Sequence, residues 1–146
     1  MIRVAARLLV MSMTLVLLIS CSSADAPTGK WEGYSESAHW LLGVRLQVDP
    51  GNVIHATALS IDVSDVSLPD RQALSEKMHR MMPEQWAGAT RTKVDFKDNV
   101  IRKAGGFAPL FIYDPKRGTM TFTFYAGGKL TEHIKLQPVK KFIEAD

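Results

Sequence analysis

The sequence predicts a mainly β protein, an eight-stranded antiparallel meander that forms a barrel or a strongly curved sheet, with one short helix inserted after the third strand. From residue 30 onward, apolar and polar residues alternate with period two, as they do in half-buried strands. Short runs rich in Gly, Pro, Asp and Asn separate these stretches and are typical of turns. Residues 69–82 have helical spacing instead.

The strands follow from this alternation. Positions 42, 44, 46 and 48 are apolar, and the turn 49–52 leads into a second strand, which completes a hairpin. In that second strand, Ala56, Ala58 and Ser60 form a row of small residues that leaves space on one side. The predicted strands are 30–37, 40–48, 53–63, 90–97, 100–104, 107–113, 119–125 and 130–138. Because most connections are short, sequential neighbours are expected to pair antiparallel, and closure or curvature would remove exposed edges.

The helix is indicated by apolar residues at positions 74, 78, 81 and 82, which share one helical face. Ser67 followed by Asp70 is typical of a capping box, and Pro69 suits a first turn. These features predict a helix from about Pro69 to Met82, with Pro83 ending it.

The N-terminus has the layout of a secretory signal. Arg3 and Arg7 precede the apolar run 8–19, and small residues follow around Cys21. The run is too short for a transmembrane helix, which needs ~20 residues.

The stretch Leu18-Ile19-Ser20-Cys21 resembles the lipobox of bacterial lipoproteins. The resemblance implies that the chain is cleaved before Cys21 and that this residue carries three acyl chains, palmitate among them, enough for stable membrane anchoring. Because Ser22 is not the aspartate that commonly marks inner-membrane retention in this family, the resemblance implies the outer membrane, facing the periplasm. The alternative is an ordinary secretory signal with an incidental cysteine.

This interpretation divides the chain into a signal peptide (1–20), a lipidated tether (21–29) and a β domain (30–146). Cleavage removes Arg3 and Arg7, so the 18 basic residues become 16 against 15 acidic ones. A nucleic-acid partner, which requires a clustered basic face, is therefore not expected. Lipidation of the single cysteine would also exclude disulfides and thiol catalysis.

The stretch Gly29-x-Trp31-x-Gly33 resembles the start of lipocalins and related calycins, in which the tryptophan closes one end of an eight-stranded barrel. The resemblance implies a lipocalin-like architecture and a packing role for Trp31. The helix departs from the family pattern, because lipocalins usually place one after the last strand. The ligand class is not carried over, since one fold serves many functions.

Catalytic and metal-binding patterns are absent from the sequence. His39, His55, His79 and His133 are scattered, no nucleophile motif occurs, and no metal or cofactor is expected. Asp62 and Asp65 are an alternative acid–base pair, although carboxylates at a strand end are usually solvated. The chain is therefore expected not to be an enzyme.

The leading functional hypothesis is a non-catalytic envelope lipoprotein that binds a small apolar or amphipathic ligand in its barrel. The helix, with Met81, would act as a flexible lid or plug one end. The candidate ligand-binding residues are Tyr34, Trp40, Met78, Met82, Trp86, Phe111, Met120, Phe122 and Phe124.

The alternative is an envelope protein-interaction module, such as an assembly factor or an inhibitor of a secreted enzyme, that uses an exposed edge or the Met-rich helix. In that case the candidate residues would form an ordinary core. A carrier is expected to enclose a cavity above ~300 Å³, whereas an interaction module is expected to have a filled interior and an apolar surface patch.

Overall fold

A computed structural model describes residues 24–144. Its eight strands run antiparallel in sequence order and close into a barrel, because the first strand pairs with both the second and the eighth. This confirms the predicted fold and decides between a barrel and an open sheet. The strands are β1 (Gly29–Glu36), β2 (Trp40–Asp49), β3 (Val53–Asp62), β4 (Arg91–Lys97), β5 (Val100–Lys103), β6 (Pro109–Asp114), β7 (Thr119–Ala126) and β8 (Lys129–Val139).

The predicted signal peptide and Cys21 lie outside the described residues. Residues 24–28 of the predicted tether have no regular secondary structure, Gly29 already begins β1, and Ala26 is buried against the barrel core. Within residues 24–144, no helix has an apolar stretch of the length that a membrane crossing requires.

The barrel has two unlike ends. The β2–β3, β4–β5 and β6–β7 turns lie at one of them, here called the closed end. The Trp31 indole lies there, buried, and its Nε1–H donates to the Gly118 carbonyl oxygen at 2.8 Å. Its ring meets that of Tyr113 edge to face, with 6.4 Å between centroids. The β1–β2, β5–β6 and β7–β8 connections lie at the opposite end, here called the open end.

The helix, α1 (Leu68–Gly88), packs on the outer wall of the barrel. Met78 joins a buried cluster with Leu41 and Val63, and Leu59 packs at its margin. Leu41 and Leu59 face outward, because neighbouring strand positions such as Leu42 and Ala58 point into the barrel. The barrel therefore has a main core inside and a second, smaller core beneath α1.

The start of α1 agrees with the predicted cap, because Ser67 Oγ accepts a hydrogen bond from Asp70 N at 3.4 Å. The predicted end at Met82 is wrong, since α1 continues through Pro83 to Gly88. A proline inside a helix costs about 3 kcal/mol. The cost is offset by packing beyond it, where the Trp86 ring stacks on His55 at 4.0 Å and meets Phe142 at 4.6 Å.

Candidate functional site

The wall of the barrel is incomplete near the open end. Strand β3 pairs with β2 along its whole length, but only Val53, Ile54 and His55 pair with β4. Strand β5 has only 4 residues. Because β4 and β5 stop short of the open end, the β3 segment 56–62 has no partner strand on that side among the described residues. The inward-facing Ala58 and Ser60 are consequently exposed.

An apolar cleft occupies this gap between β3 and the β6–β7 hairpin. Its larger part has a volume of about 270 Å³ and adjoins a second part of about 180 Å³. The larger part is lined by Leu42, Val44, Ala58, Leu59, Ser60, Leu110, Phe122, Thr123, Phe124 and Tyr125. The smaller part is lined by Val44, Ile54, Ala56, Thr57, Ala58, Leu110, Phe111 and Phe122. Neither lining contains a charged residue, and the cleft opens to solvent instead of being enclosed.

Five of the predicted ligand-binding residues lie on the inner side of the barrel. Phe122 and Phe124 line the larger part of the cleft, and Phe111 lines the smaller part with Phe122, at 5.3 Å between ring centroids. Trp40 packs edge to face on Phe124 at 5.2 Å. Met120 is completely buried in the core and lines neither part.

The other four predicted residues lie on the outer wall. Met78 and Met82 of α1 are buried between the helix and the strands, Tyr34 stacks on His79 at 4.0 Å, and Trp86 stacks on His55. Tyr34 and Met78 line a separate groove of about 180 Å³ between α1 and the strands. No residue of α1 lines the apolar cleft, so the helix packs against the barrel wall and does not form a lid over the opening.

A buried ion pair, which was not predicted from the sequence, also lies on the outer wall. Glu32 and Arg45 are cross-strand neighbours with Nε and Oε1 3.0 Å apart, and their side chains are 3% and 2% exposed. The Tyr34 hydroxyl donates to Glu32 Oε1 at 2.7 Å, and the Ile143 N–H donates to Oε2 at 3.1 Å. Arg45 Nη2 donates to the Ile143 carbonyl oxygen. The chain after β8 thus covers the pair, and both charges keep hydrogen-bond partners.

Tyr34 in this network and Asp62 at the end of β3 have shifted pKa values. Burial, and then the hydrogen bond to Glu32, raises the pKa of the Tyr34 phenol above its ordinary value, so that it stays neutral. At the end of β3, Asp62 accepts hydrogen bonds from the Ser64 hydroxyl and N–H at 2.7 and 3.0 Å, which lower the pKa of this exposed carboxyl. Within residues 24–144, no group of three or more His, Cys, Asp or Glu side chains is placed to hold a metal ion.

Comparison with known proteins gives no relative, since no protein-family model, curated protein or solved structure matches the chain.

Proposed function

We propose that this chain is a lipid-anchored, non-catalytic protein of the bacterial cell envelope that binds a small apolar or amphipathic molecule in the cleft at the open end. The observation that carries the proposal is the uncharged apolar lining of that cleft. Ligand pockets start at ~300 Å³ and are mostly apolar with few polar groups. The larger part of the cleft, at about 270 Å³, lies below that bound and is open instead of enclosed, and the adjoining part of about 180 Å³ extends it.

The open form of the cleft favours an amphipathic ligand. Burial of an apolar group gains roughly 25 cal/mol for each Å² removed from water. Phe122, Phe124 and Leu110 provide the apolar surface for such burial on the inner side. No charged residue lines the cleft to accompany a charged group inward. A polar head group would therefore stay in solvent at the mouth.

The proposed anchor fits this orientation. The Ala26 N–H donates to Asn52 Oδ1 at 2.7 Å, which fixes the start of the domain to the β2–β3 turn at the closed end. Five residue steps separate Ala26 from Cys21, a reach of about 18 Å at most. A lipid on Cys21 would hold the closed end near the bilayer, in our proposal the outer membrane, and the cleft would face the periplasm.

Native mass spectrometry of the protein expressed from the full chain tests the binding. We expect a complex with the apolar probe N-phenyl-1-naphthylamine. Ala58→Trp, which fills the cleft, should lower the bound fraction about tenfold, and Phe122→Ala should change it. Ile112→Trp introduces the same indole side chain at an exposed position of β6 on the outer face and should leave binding unchanged. Absence of the complex in the unsubstituted protein would overturn the proposal.

The anchor is tested separately by the mass of the N-terminal fragment. We expect cleavage before Cys21 and a triacylated cysteine. An uncleaved leader or an unmodified sulfur would contradict the anchor and leave the binding proposal standing.

A further inference from the structure

We propose that the free edge of β3 binds an extended peptide segment of a partner protein, which pairs with residues 56–62 as an added strand. The partner segment would alternate apolar side chains, directed into the cleft, with neutral polar or basic side chains on the outside. The inference rests on the cleft of the proposed function but adds a second recognition element, the main chain of β3.

Hydrogen bonding at the start of the β3–β4 ladder identifies the groups that are free. The Val94 N–H donates to the Asn52 carbonyl oxygen at 2.9 Å, next to the paired residues Val53 and Lys93. In an antiparallel ladder this directs the N–H and C=O groups of Ile54, and of every second residue after it, towards the β4 side. Ala58 and Ser60 therefore point their main-chain groups at the gap, where no described strand pairs with them. A peptide main chain repeats donors and acceptors at the spacing needed to satisfy them.

The inner side of the gap accepts apolar side chains. Residues on an added strand that face Ala58 and Ser60 would point into the barrel, because cross-strand partners share a face. The space there is the apolar cleft, with Leu110 and Phe122 opposite β3. The small side chains of Ala56 and Ala58 leave that space unfilled.

The outer side of the gap accepts polar side chains. A groove of about 460 Å³ adjoins the start of the same edge, lined by Ala56, Thr57, Glu84, Gln85, Gly88, Ala89 and Thr90. Glu84 is its one charged lining residue, and Asp62 ends the strand with an exposed carboxylate. Negative charge at both places complements lysine or arginine in the partner. The edge thus has room on the inner face along the cleft and on the outer face beside Ala56 and Thr57.

Fluorescence anisotropy tests the inference with the protein expressed from the full chain. The probe is a labelled peptide of about nine residues that alternates valine and threonine between terminal lysines, long enough for the seven-residue edge at about 3.3 Å per residue. A matched peptide carries N-methyl groups on the valines, which keep their apolar side chains but lose the N–H donors. We expect the N-methylated peptide to bind at least about tenfold more weakly. Replacement of the terminal lysines by glutamate should weaken binding about threefold at low salt.

A matched pair of protein variants completes the test. Ser60→Pro removes a main-chain donor at the free edge, whereas Ser60→Ala keeps it, so the proline variant should bind the peptide about tenfold more weakly than the alanine variant. Equal binding of the two peptides to the unsubstituted protein would overturn the inference without any variant. If N-phenyl-1-naphthylamine binds and the peptide does not, the inference fails and the proposed function stands. If neither binds, both fail.

Discussion

Glu32 and Arg45 lie opposite each other on β1 and β2, and both point away from the barrel interior, yet they are among the most buried charged residues described. Their burial arises because α1 and the chain after β8 pack over this wall. Phe142 lies against the Trp86 ring and over the Arg45 guanidinium, at 5.1 Å from its ring centroid. The outer wall near the closed end is therefore covered by packed side chains, whereas the binding proposals concern the gap at the open end.

The ion pair gives the first prediction. Arg45→Met should destabilise the protein by about 3–5 kcal/mol, because the Glu32 carboxylate would remain buried without its counter-ion. The double variant Glu32→Leu with Arg45→Met should be more stable than Arg45→Met alone, although Tyr34 and Ile143 lose an acceptor. Urea unfolding measures the free energy of unfolding of Glu32→Leu, of Arg45→Met and of the double variant. Additive losses from the two substitutions would contradict direct coupling of the pair.

The second prediction concerns pH. Because the pKa of Tyr34 is raised in the folded protein, the phenol keeps its proton above pH ~10, where an unfolded tyrosine loses it. The stability that this group contributes is therefore present below pH ~10 and is lost as pH rises above it. Tyr34→Phe should be less stable than the unsubstituted protein near neutral pH, and the difference should shrink above pH ~10. A constant difference in urea midpoints between about pH 8 and pH 11 would show that Tyr34 does not titrate in this way.

The contact of α1 with β2 gives the third prediction. A Cβ at Gly43 would lie 2.9 Å from Met82 Cε and 2.9 Å from the Tyr34 ring. Gly43→Ala should therefore cost about 1–3 kcal/mol by overpacking. Gly88→Ala is the matched control, because a Cβ there meets nothing within 4 Å and alanine favours the helix. Thermal unfolding should show a lower melting temperature for Gly43→Ala but not for Gly88→Ala. Equal melting temperatures of the two variants would contradict the close approach of α1 to β2.

The chain after β8 gives the fourth prediction. Phe142→Ala should cost about 3 kcal/mol, since the ring is nearly buried between Trp86, Arg45 and Lys30. The neighbouring Ile143→Ala should cost less than about 0.5 kcal/mol, because its side chain is 64% exposed and its main chain makes the contacts with Glu32 and Arg45. Similar losses for both variants in urea unfolding would contradict this division of roles.

The strand order was predictable because each strand has an apolar–polar alternation and each turn has typical turn residues, both of which are visible locally in the sequence. The alternation of Leu42 and Val44 with outward-facing residues is visible without knowledge of which strands pair with β2. The Ser67 cap is likewise a local signal. The end of α1 was not predictable, because the helical turn after Pro83 is packed through contacts of Trp86 with His55 and Phe142, which are distant in sequence.

The site was predictable in part. The row of small residues that includes Ala56 and Ala58 indicated space inside the barrel, and these residues do line the cleft. The sequence could not show where β4 and β5 stop pairing, which creates the opening. The buried pair was missed because Glu32 and Arg45 occupy ordinary polar positions of amphipathic strands. Both contact Ile143, which is 98 positions from Arg45 and 111 positions from Glu32 in the sequence.

Amide hydrogen exchange along β3, followed residue by residue by NMR, tests the central claim most directly. If the barrel wall is open beside β3, the N–H groups of Ala58 and Ser60 exchange rapidly, whereas those of Leu59 and Ile61, which point towards β2, exchange at least about a hundredfold more slowly. Equal protection of all four amides would show that this edge is covered, and would contradict both the open cleft and the peptide-binding edge.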